Sequence, residues 1–201
     1  MLFAGDLPLT RQILIHGFIT SGGVKMSKSL GNVIDPLEYS EKYGIDALRY
    51  YLLAKMNPFE DSDFTKEKFE DVYKSDLQNG LGNLVARVAA MAEKSGLGFN
   101  IKDIGSSMTT EVQKSLENYK FDEALSTIWE TIKKADQFVS EKRVWTLSGS
   151  ELESALTRLV NDIRQIALDL TPFMPETAKK ISTQYNQEKI TKTEPMFPRL
   201  A

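Results

Sequence analysis

The sequence predicts a mainly α-helical protein in which a helical bundle follows a small α/β segment. Apolar residues recur every three or four positions through most of the chain after residue 65, which is the period of an amphipathic helix. A run of β-branched and aromatic residues at 13–20, closed by glycines, indicates a strand near the start. The chain has 201 residues, 41% of them hydrophobic, enough for one large domain or two small ones. We therefore expect a first domain over residues 1–64 and a bundle over residues 65–201.

The first segment is expected to form a strand and tight turn, followed by two short helices. The Ser-Gly-Gly turn at 21–23 supplies the positive φ that a hairpin needs after the strand at 13–20. Asp35-Pro36 combines an N-cap residue with Pro at the first helical position, which predicts a helix to about Tyr43. A second helix is predicted over 46–55.

A longer helical segment begins at Thr65 and continues for about thirty residues. Its apolar positions repeat at spacings of three and four, so one face is buried. Gly80 and Gly82 interrupt the segment at a cost of ~1 kcal/mol each relative to Ala, which predicts a kink or a close helix crossing. The glycines at 96 and 98 are expected to end it.

Further amphipathic helices complete the predicted bundle. They run from Thr110 to about Tyr119, from near Asp122 onward, from 150 to 170, and after Pro175. Each carries an apolar stripe at helical spacing, and together these stripes can build a bundle core.

The composition excludes several classes of protein. With no cysteine and one histidine, the chain has no disulfide framework, no thiolate metal site and no Cys nucleophile, and we expect no zinc. The net charge of −3 argues against binding DNA by bulk charge. No apolar run approaches the ~20 residues of a membrane span, and the first residues do not resemble a signal peptide. We expect a cytoplasmic protein that binds neither membrane nor DNA.

The end of the chain is locally basic. Between residues 179 and 201, five cations (Lys179, Lys180, Lys189, Lys192 and Arg199) face two anions, Glu188 and Glu194. A solvated helix face is the usual explanation of such a run, and contact with phosphate is the alternative.

The segment Lys-Met-Ser-Lys-Ser at 25–29 follows the predicted strand and its glycine turn. A Lys side chain can follow moving phosphate oxygens as a point charge, and Ser hydroxyls and loop N–H groups add donors. Such a loop would stabilise the charge that develops as pyrophosphate leaves, without any proton transfer. An exposed loop that binds nothing is the alternative that local composition leaves open.

The residues around this loop resemble class I aminoacyl-tRNA synthetases. Lys-Met-Ser-Lys-Ser is the second signature of that class, and the match continues through both flanks, from Ile15 to Pro36. Similarity to the methionyl-tRNA synthetase family extends over stretches at 43–53, 61–64, 81–87, 171–178 and 196–200. The resemblance implies a class Ia anticodon-binding bundle, preceded by the end of the nucleotide-binding catalytic domain and the stem-contact fold, which rests on the tRNA.

The first signature of the class, His-Ile-Gly-His or a near variant, needs two histidines, and this chain has one. The resemblance therefore implies the C-terminal portion of a synthetase that attaches methionine to tRNA(Met). The partners implied are ATP with its Mg²⁺, the tRNA, and methionine bound through an absent N-terminal part. That absent part would also carry the methionine pocket and the zinc-bearing insertion. We expect the chain alone to be inactive.

The resemblance places an ATP site in the loop and the strand before it. The loop residues implied to bind ATP are Lys25, Met26, Ser27, Lys28 and Ser29. Lys25 and Lys28 would be catalytic, with Lys28 contacting the transition state. His16 and Gly17 lie where the family's strand approaches the adenylate, and a packed strand end is the alternative for both. Asp46 and Arg49 are expected to be structural, as a helix-start charge and an ion pair.

An anticodon contact is implied near the end of the helix that begins near Asp122. Trp145 falls where methionyl enzymes place an indole that stacks on an anticodon base, with Lys142 and Arg143 beside it to hold the backbone. Packing against Phe138 is the alternative for Trp145.

The helix facing this Trp is expected to supply a second anticodon contact. The family commonly has Asn there, followed one turn later by a basic residue, and this sequence has Ala90 and Lys94. Lys94 is therefore the expected contact. Trp129, in phase with Leu125 and Ile132, is expected in the core.

Two other functions remain open at this point. A leucyl, isoleucyl or valyl synthetase portion would share the loop and the bundle, although Trp145 and the short bundle favour the methionyl family. A non-catalytic tRNA-binding or subunit-interaction module derived from such an enzyme would explain the missing first signature.

Overall fold

Eight α-helices and three short strands make up the described part of this computed structural model, which comprises residues 5, 10, 12–101 and 106–199. The helices are α1 (Pro36–Tyr43), α2 (Ile45–Ala54), α3 (Lys66–Val72), α4 (Asn83–Ser95), α5 (Thr110–Glu117), α6 (Phe121–Glu141), α7 (Gly149–Leu170) and α8 (Pro175–Tyr185). The strands are β1 (Ile19–Ser21), β2 (Val24–Lys25) and β3 (Ser62–Phe64). The predicted mainly α fold is confirmed. Among the described residues, no helix is both long and apolar enough to cross a membrane.

The three strands form one small sheet in the order β2-β1-β3. β1 and β2 are an antiparallel hairpin whose turn glycines, Gly22 and Gly23, have φ of 62° and 76°, as expected. β1 also pairs in parallel with β3, with Ile19 opposite Ser62. The prediction of a strand over the whole of 13–20 is wrong for residues 13–18, because no described strand forms a ladder with them.

The two helices after the loop form where the sequence predicts them. The Asp35 carboxylate accepts a 2.9 Å hydrogen bond from the backbone N–H of Leu37 and caps α1. Gly44 then ends α1. Its φ of 89° is a conformation that suits glycine, and α2 begins at the next residue. Local capping signals thus define both helix boundaries.

The predicted irregularity at Gly80 and Gly82 is a π-helical segment, Tyr73–Gly82, which joins α3 to α4. A Cβ atom on Gly82 would lie 2.9 Å from the carbonyl oxygen of Leu77 and 3.3 Å from the Phe197 ring. The expected close approach is therefore present, although a segment near the C-terminus makes it rather than another helix. α4 ends at Gly96, whose φ is 68°.

The bundle core is built from the apolar stripes of α4, α6, α7 and α8. The largest fully buried aliphatic side chains include Leu84, Leu125, Ile128, Leu156 and Leu159. α7 lies at the centre, because it packs against α4, α6 and α8.

α2 is attached to the turn between α7 and α8 by two polar side chains. The buried Asp46 carboxylate accepts a 2.6 Å hydrogen bond from the backbone N–H of Thr177, in the first turn of α8. Arg49 donates to the backbone carbonyls of Phe173 and Pro172, at 2.8 and 2.9 Å. The ion pair expected for Arg49 is wrong, because its guanidinium donates to two backbone carbonyls in the turn after α7 instead. We call this pair the α2 clasp.

Candidate functional site

The Lys-Met-Ser-Lys-Ser segment is an exposed loop held in shape by its own backbone and by one amide side chain. Asn32 accepts a hydrogen bond from the Ser27 N–H at 2.9 Å and donates to the Lys25 carbonyl at 3.2 Å. A short 3-10 turn over Lys28–Leu30 ends at Gly31, whose φ is 65°. Internal hydrogen bonds therefore define the shape of the loop, and Asn32 is a supporting residue that the sequence pattern did not identify.

The polar groups of this loop lie at the surface. The side chains of Lys25, Lys28 and Ser29 are exposed, and Met26 and Ser27 are half-buried. The Ser27 and Ser29 hydroxyls lie 2.7 Å apart, and the Lys25 ammonium is 5.1 Å from the centre of the Phe18 ring. Two cations and two hydroxyls are thus displayed within five residues, an arrangement able to bind phosphate oxygens.

Asp63, on β3, anchors the hairpin that carries the loop. Its carboxylate accepts hydrogen bonds from the Gly23 N–H at 2.7 Å and the Thr20 hydroxyl at 3.0 Å. The ammonium of Lys68, on α3, donates to the same carboxylate at 2.8 Å. Asp63 therefore connects the hairpin turn to the first helix after β3.

These contacts should make the hairpin anchor sensitive to acid. The Lys68 ammonium, together with the Gly23 N–H and the Thr20 hydroxyl, lowers the pKa of Asp63 to about 2. Because the folded pKa is depressed, the anchor is fully present above the ordinary Asp value of about 4 and is lost as the pH falls through about 2. We expect the Gly23 amide resonance to titrate with a midpoint below 3, while amides in α7 report the folded bundle.

Asp63→Asn is the control for this measurement, because it removes the titrating group. A midpoint near pH 4 for the Gly23 amide in the unsubstituted chain would show that no donor stabilises the Asp63 carboxylate. It would therefore contradict the proposal that Asp63 anchors the hairpin.

His16 and Gly17 lie beside β3 and the residues before it. The Gly17 N–H donates to the Pro58 carbonyl at 3.0 Å, and a Cβ atom on Gly17 would lie 2.1 Å from the carbonyl oxygen of Glu60. His16 is exposed, with Nδ1 2.8 Å from the Gly17 oxygen. Both line a mainly apolar groove of about 240 Å³ that none of residues 25–29 lines. Only glycine fits at position 17.

Trp145 and Lys94, predicted from separate parts of the sequence, line one groove. This groove, of about 470 Å³, lies between the end of α4 and the 3-10 turn Val144–Thr146, and Ala90 forms part of its wall. The indole is 54% exposed. We call this cavity the Trp145 groove.

Trp145 does not continue α6 as expected. The helix ends at Glu141, and Arg143 takes a left-handed conformation with φ of 47°, which turns the chain before Val144. Val144 is buried and fixes the turn on the bundle. Within the described residues no ring contact joins Trp145 to Phe138, whose ring instead lies 4.1 Å from the Arg158 guanidinium.

The expected cations around this Trp occupy different positions. Lys94 lines the groove, whereas Lys142 and Arg143 are exposed at the end of α6 and do not line it. Trp129 is partly buried and stacks on Tyr50, with ring centres 4.1 Å apart, so it joins α6 to α2.

Comparison with known proteins finds aminoacyl-tRNA synthetase relatives along the whole chain. A family described as tRNA synthetases class I (M) matches residues 1–89, and the anticodon-binding domain of tRNA ligases matches residues 106–201. Methionine–tRNA ligase of Clostridium acetobutylicum is 37% identical and that of Bacillus subtilis 33% identical, each over all of this chain. The chain belongs to the methionyl-tRNA synthetase family. The leucyl, isoleucyl and valyl alternative is not favoured.

The chain spans about a third of its curated methionyl relatives, since it covers 36% of the length of each of these two ligases. Among solved structures, Mycobacterium tuberculosis methionyl-tRNA synthetase bound by methionyl-adenylate superposes with a TM-score of 0.78 and 27% identity. That match covers 98% of this chain and 46% of the other. The α/β segment and the bundle of this methionyl-tRNA synthetase family member thus occur together in a solved family structure.

Proposed function

We propose that this chain supplies the ATP-phosphate loop and the anticodon-binding bundle of a methionyl-tRNA synthetase, which attaches methionine to its tRNA with ATP. Family membership over the whole chain supports the reaction. The half-exposed indole of Trp145, in one groove with Lys94, is the observation that supports the tRNA contact. Family membership also implies the other substrate, methionine, and the Mg²⁺ that accompanies ATP.

The loop residues fit a polyphosphate ligand. Lys25, Lys28, Ser27 and Ser29 present charge-assisted and hydroxyl donors, and Met26 is half-buried beneath them. When bound, ATP supplies the activated phosphate that forms an adenylate with methionine. Lys28 stabilises the charge that gathers on the departing pyrophosphate, and Lys25 neutralises the phosphates on the strand side of the loop. We place His16 and Gly17 beside the nucleotide, as members of the same site.

The bundle end recognises the anticodon by stacking. An exposed aromatic ring can accept an unpaired base on its face, and nearby cations hold the backbone of the same strand. In this arrangement Trp145 stacks on the base and Lys94 contacts the RNA inside the groove. Lys142 and Arg143 contact phosphates at the rim of the groove.

Trp145→Ala tests this assignment. Base stacking on an aromatic side chain is worth ~1–3 kcal/mol, so a stem-loop RNA with the methionine anticodon should bind about tenfold more weakly or worse. The melting temperature should hardly change, because the indole is 54% exposed.

Phe59→Ala is the matched control, since Phe59 is 55% exposed and does not line the Trp145 groove. It should leave binding unchanged. If Trp145→Ala instead melts several degrees lower and binds the RNA as well as the unsubstituted chain, Trp145 is a core residue and the anticodon assignment fails.

A further inference from the structure

Two further cavities lie next to the Trp145 groove along the bundle. It shares Lys192 with a second groove of about 250 Å³, which lies between the start of α4 and the segment 192–196. The second groove shares Gln184 and residues 193–196 with a third, of about 570 Å³, which lies against α8. The three cavities therefore adjoin one another along the surface from Trp145 to α8, and we call them together the channel.

The channel is positively charged although the chain is not. The charged residues that line it are Lys94, Lys179, Lys180, Lys189 and Lys192, with Glu93 and Glu194. Five cations against two anions contrast with the net charge of −3 for the whole chain. This surface therefore attracts a polyanion that the rest of the molecule repels.

Most of these lysines have their charge available. Lys192 lies 3.9 Å from Glu93, at the limit of an ion pair. In the part of the chain that the structure describes, none of Lys179, Lys180 and Lys189 is in a salt bridge, and all three are exposed. A ligand that enters the channel meets their ammonium groups without breaking an internal contact.

The junction of the second and third grooves contains a buried hydrogen-bond acceptor. The Gln184 side-chain N–H donates to the Thr191 carbonyl at 2.7 Å, which fixes the amide. Its Oε1 is buried and accepts no hydrogen bond from a described residue, and the residue is 8% exposed. Gln184 therefore forms a fixed wall where the two grooves meet, and the charge of the channel comes from its lysines.

We infer that this channel binds the phosphodiester backbone of a single-stranded RNA segment, the strand that continues from the base stacked on Trp145. The inference rests on the proposed function, because Trp145 fixes where the strand enters. Charge complementarity and continuity with the Trp145 groove identify the occupant. Lys192, Lys189, Lys180 and Lys179 contact successive phosphates.

The test compares two triple variants of the whole chain with equal changes in net charge. The channel variant is Lys179→Gln, Lys180→Gln and Lys189→Gln. The control variant is Lys114→Gln, Lys133→Gln and Lys134→Gln, at exposed positions that do not line the channel. The probe is the methionine anticodon stem-loop, whose unpaired loop strand continues from the base on Trp145, with Kd measured from low to high salt and melting temperature measured in parallel.

The salt dependence gives the decisive readout. Each phosphate contact on a single strand contributes about 0.7 to the slope of log K against log salt, so three lost contacts should lower the slope by about two units. The channel variant should bind about tenfold more weakly or worse at physiological salt. The control variant should retain the slope of the unsubstituted chain.

Each other outcome is informative. Equal slopes for the channel variant and the control would overturn the channel while leaving anticodon binding intact, provided that Trp145→Ala still weakens binding. Failure of the unsubstituted chain to bind the stem-loop would overturn the proposed function and the channel with it. Equally tight binding of polyglutamate would show a general polyanion surface and would overturn the nucleic-acid channel.

Discussion

Lys28→Ala is expected to slow adenylate formation about a hundredfold in a full-length methionyl-tRNA synthetase that contains this chain. A preorganised charge at a developing anion is typically worth ~3 kcal/mol in the transition state. The Lys28 ammonium is exposed, and no described carboxylate pairs with it, so its charge is free to act on the pyrophosphate. The Lys28 carbonyl, which accepts the Gly31 N–H at 3.3 Å, is unchanged by the substitution, so the loop should keep its shape.

Single-turnover rates and methionine affinity should be measured together for this variant. Methionine binding should stay nearly constant, because the loop acts on phosphate. Lys66→Ala, at an exposed lysine on nearby α3, is the control and should leave both quantities unchanged. A Lys28→Ala enzyme that activates methionine at the ordinary rate would show that the loop lysine has no catalytic role.

Asp46→Ala should cost about 2–3 kcal/mol of unfolding free energy, a large effect for one polar substitution. The carboxylate accepts the Thr177 N–H within the first turn of α8, where a negative charge also meets the positive end of the helix dipole. Alanine leaves this N–H buried without a partner, and hydrogen bonds to charged groups contribute ~1.5–3 kcal/mol. The melting temperature should fall by roughly 5–10 °C for a chain of this size.

Two variants distinguish the hydrogen bond from Thr177 to Asp46 from the effect of a negative charge at the start of α8. Asp46→Asn keeps an acceptor and should lose less than half as much stability. Glu176→Gln removes an exposed acidic charge from the same helix end and should cost below ~1 kcal/mol. If Asp46→Ala melts within a degree of the unsubstituted chain, the α2 clasp does not stabilise the fold.

The helices were predictable because their signals are local. Asp35-Pro36 and Gly96 define helix ends through their own backbone preferences, and apolar spacing gives the buried faces of α4, α6 and α7. β3 has three residues and no alternation, and it pairs with a strand some forty positions away, so no local pattern identifies it. The end of α6 could not be predicted either, because Arg143 has a left-handed conformation that is uncommon for residues other than glycine.

The sequence likewise indicated some residues of the candidate site but not the residues that support them. The loop lysines were indicated by the motif and Trp145 by the family resemblance, and all of them are exposed in the structure, where a ligand could meet them. Their supports could not be predicted. Asp63 acts through Gly23 and Lys68, and Arg49 acts through carbonyls more than a hundred residues away, so only the folded chain brings the partners together.

The α2 clasp fixes α2 to the bundle, so the segment after the loop is not a free hinge. If the proposed function is correct, we expect closure on a nucleotide to take place within residues 26–32, which contain the left-handed Gly31, rather than by a swing of the whole molecule. Segments of this size move in nanoseconds to microseconds, whereas hinged domains need microseconds to milliseconds. Synthesis at ordinary turnover rates of 1–10³ per second leaves time for many closures per cycle. For the proposed enzyme we therefore expect loop closure to be a rapid equilibrium that precedes chemistry and does not limit the rate.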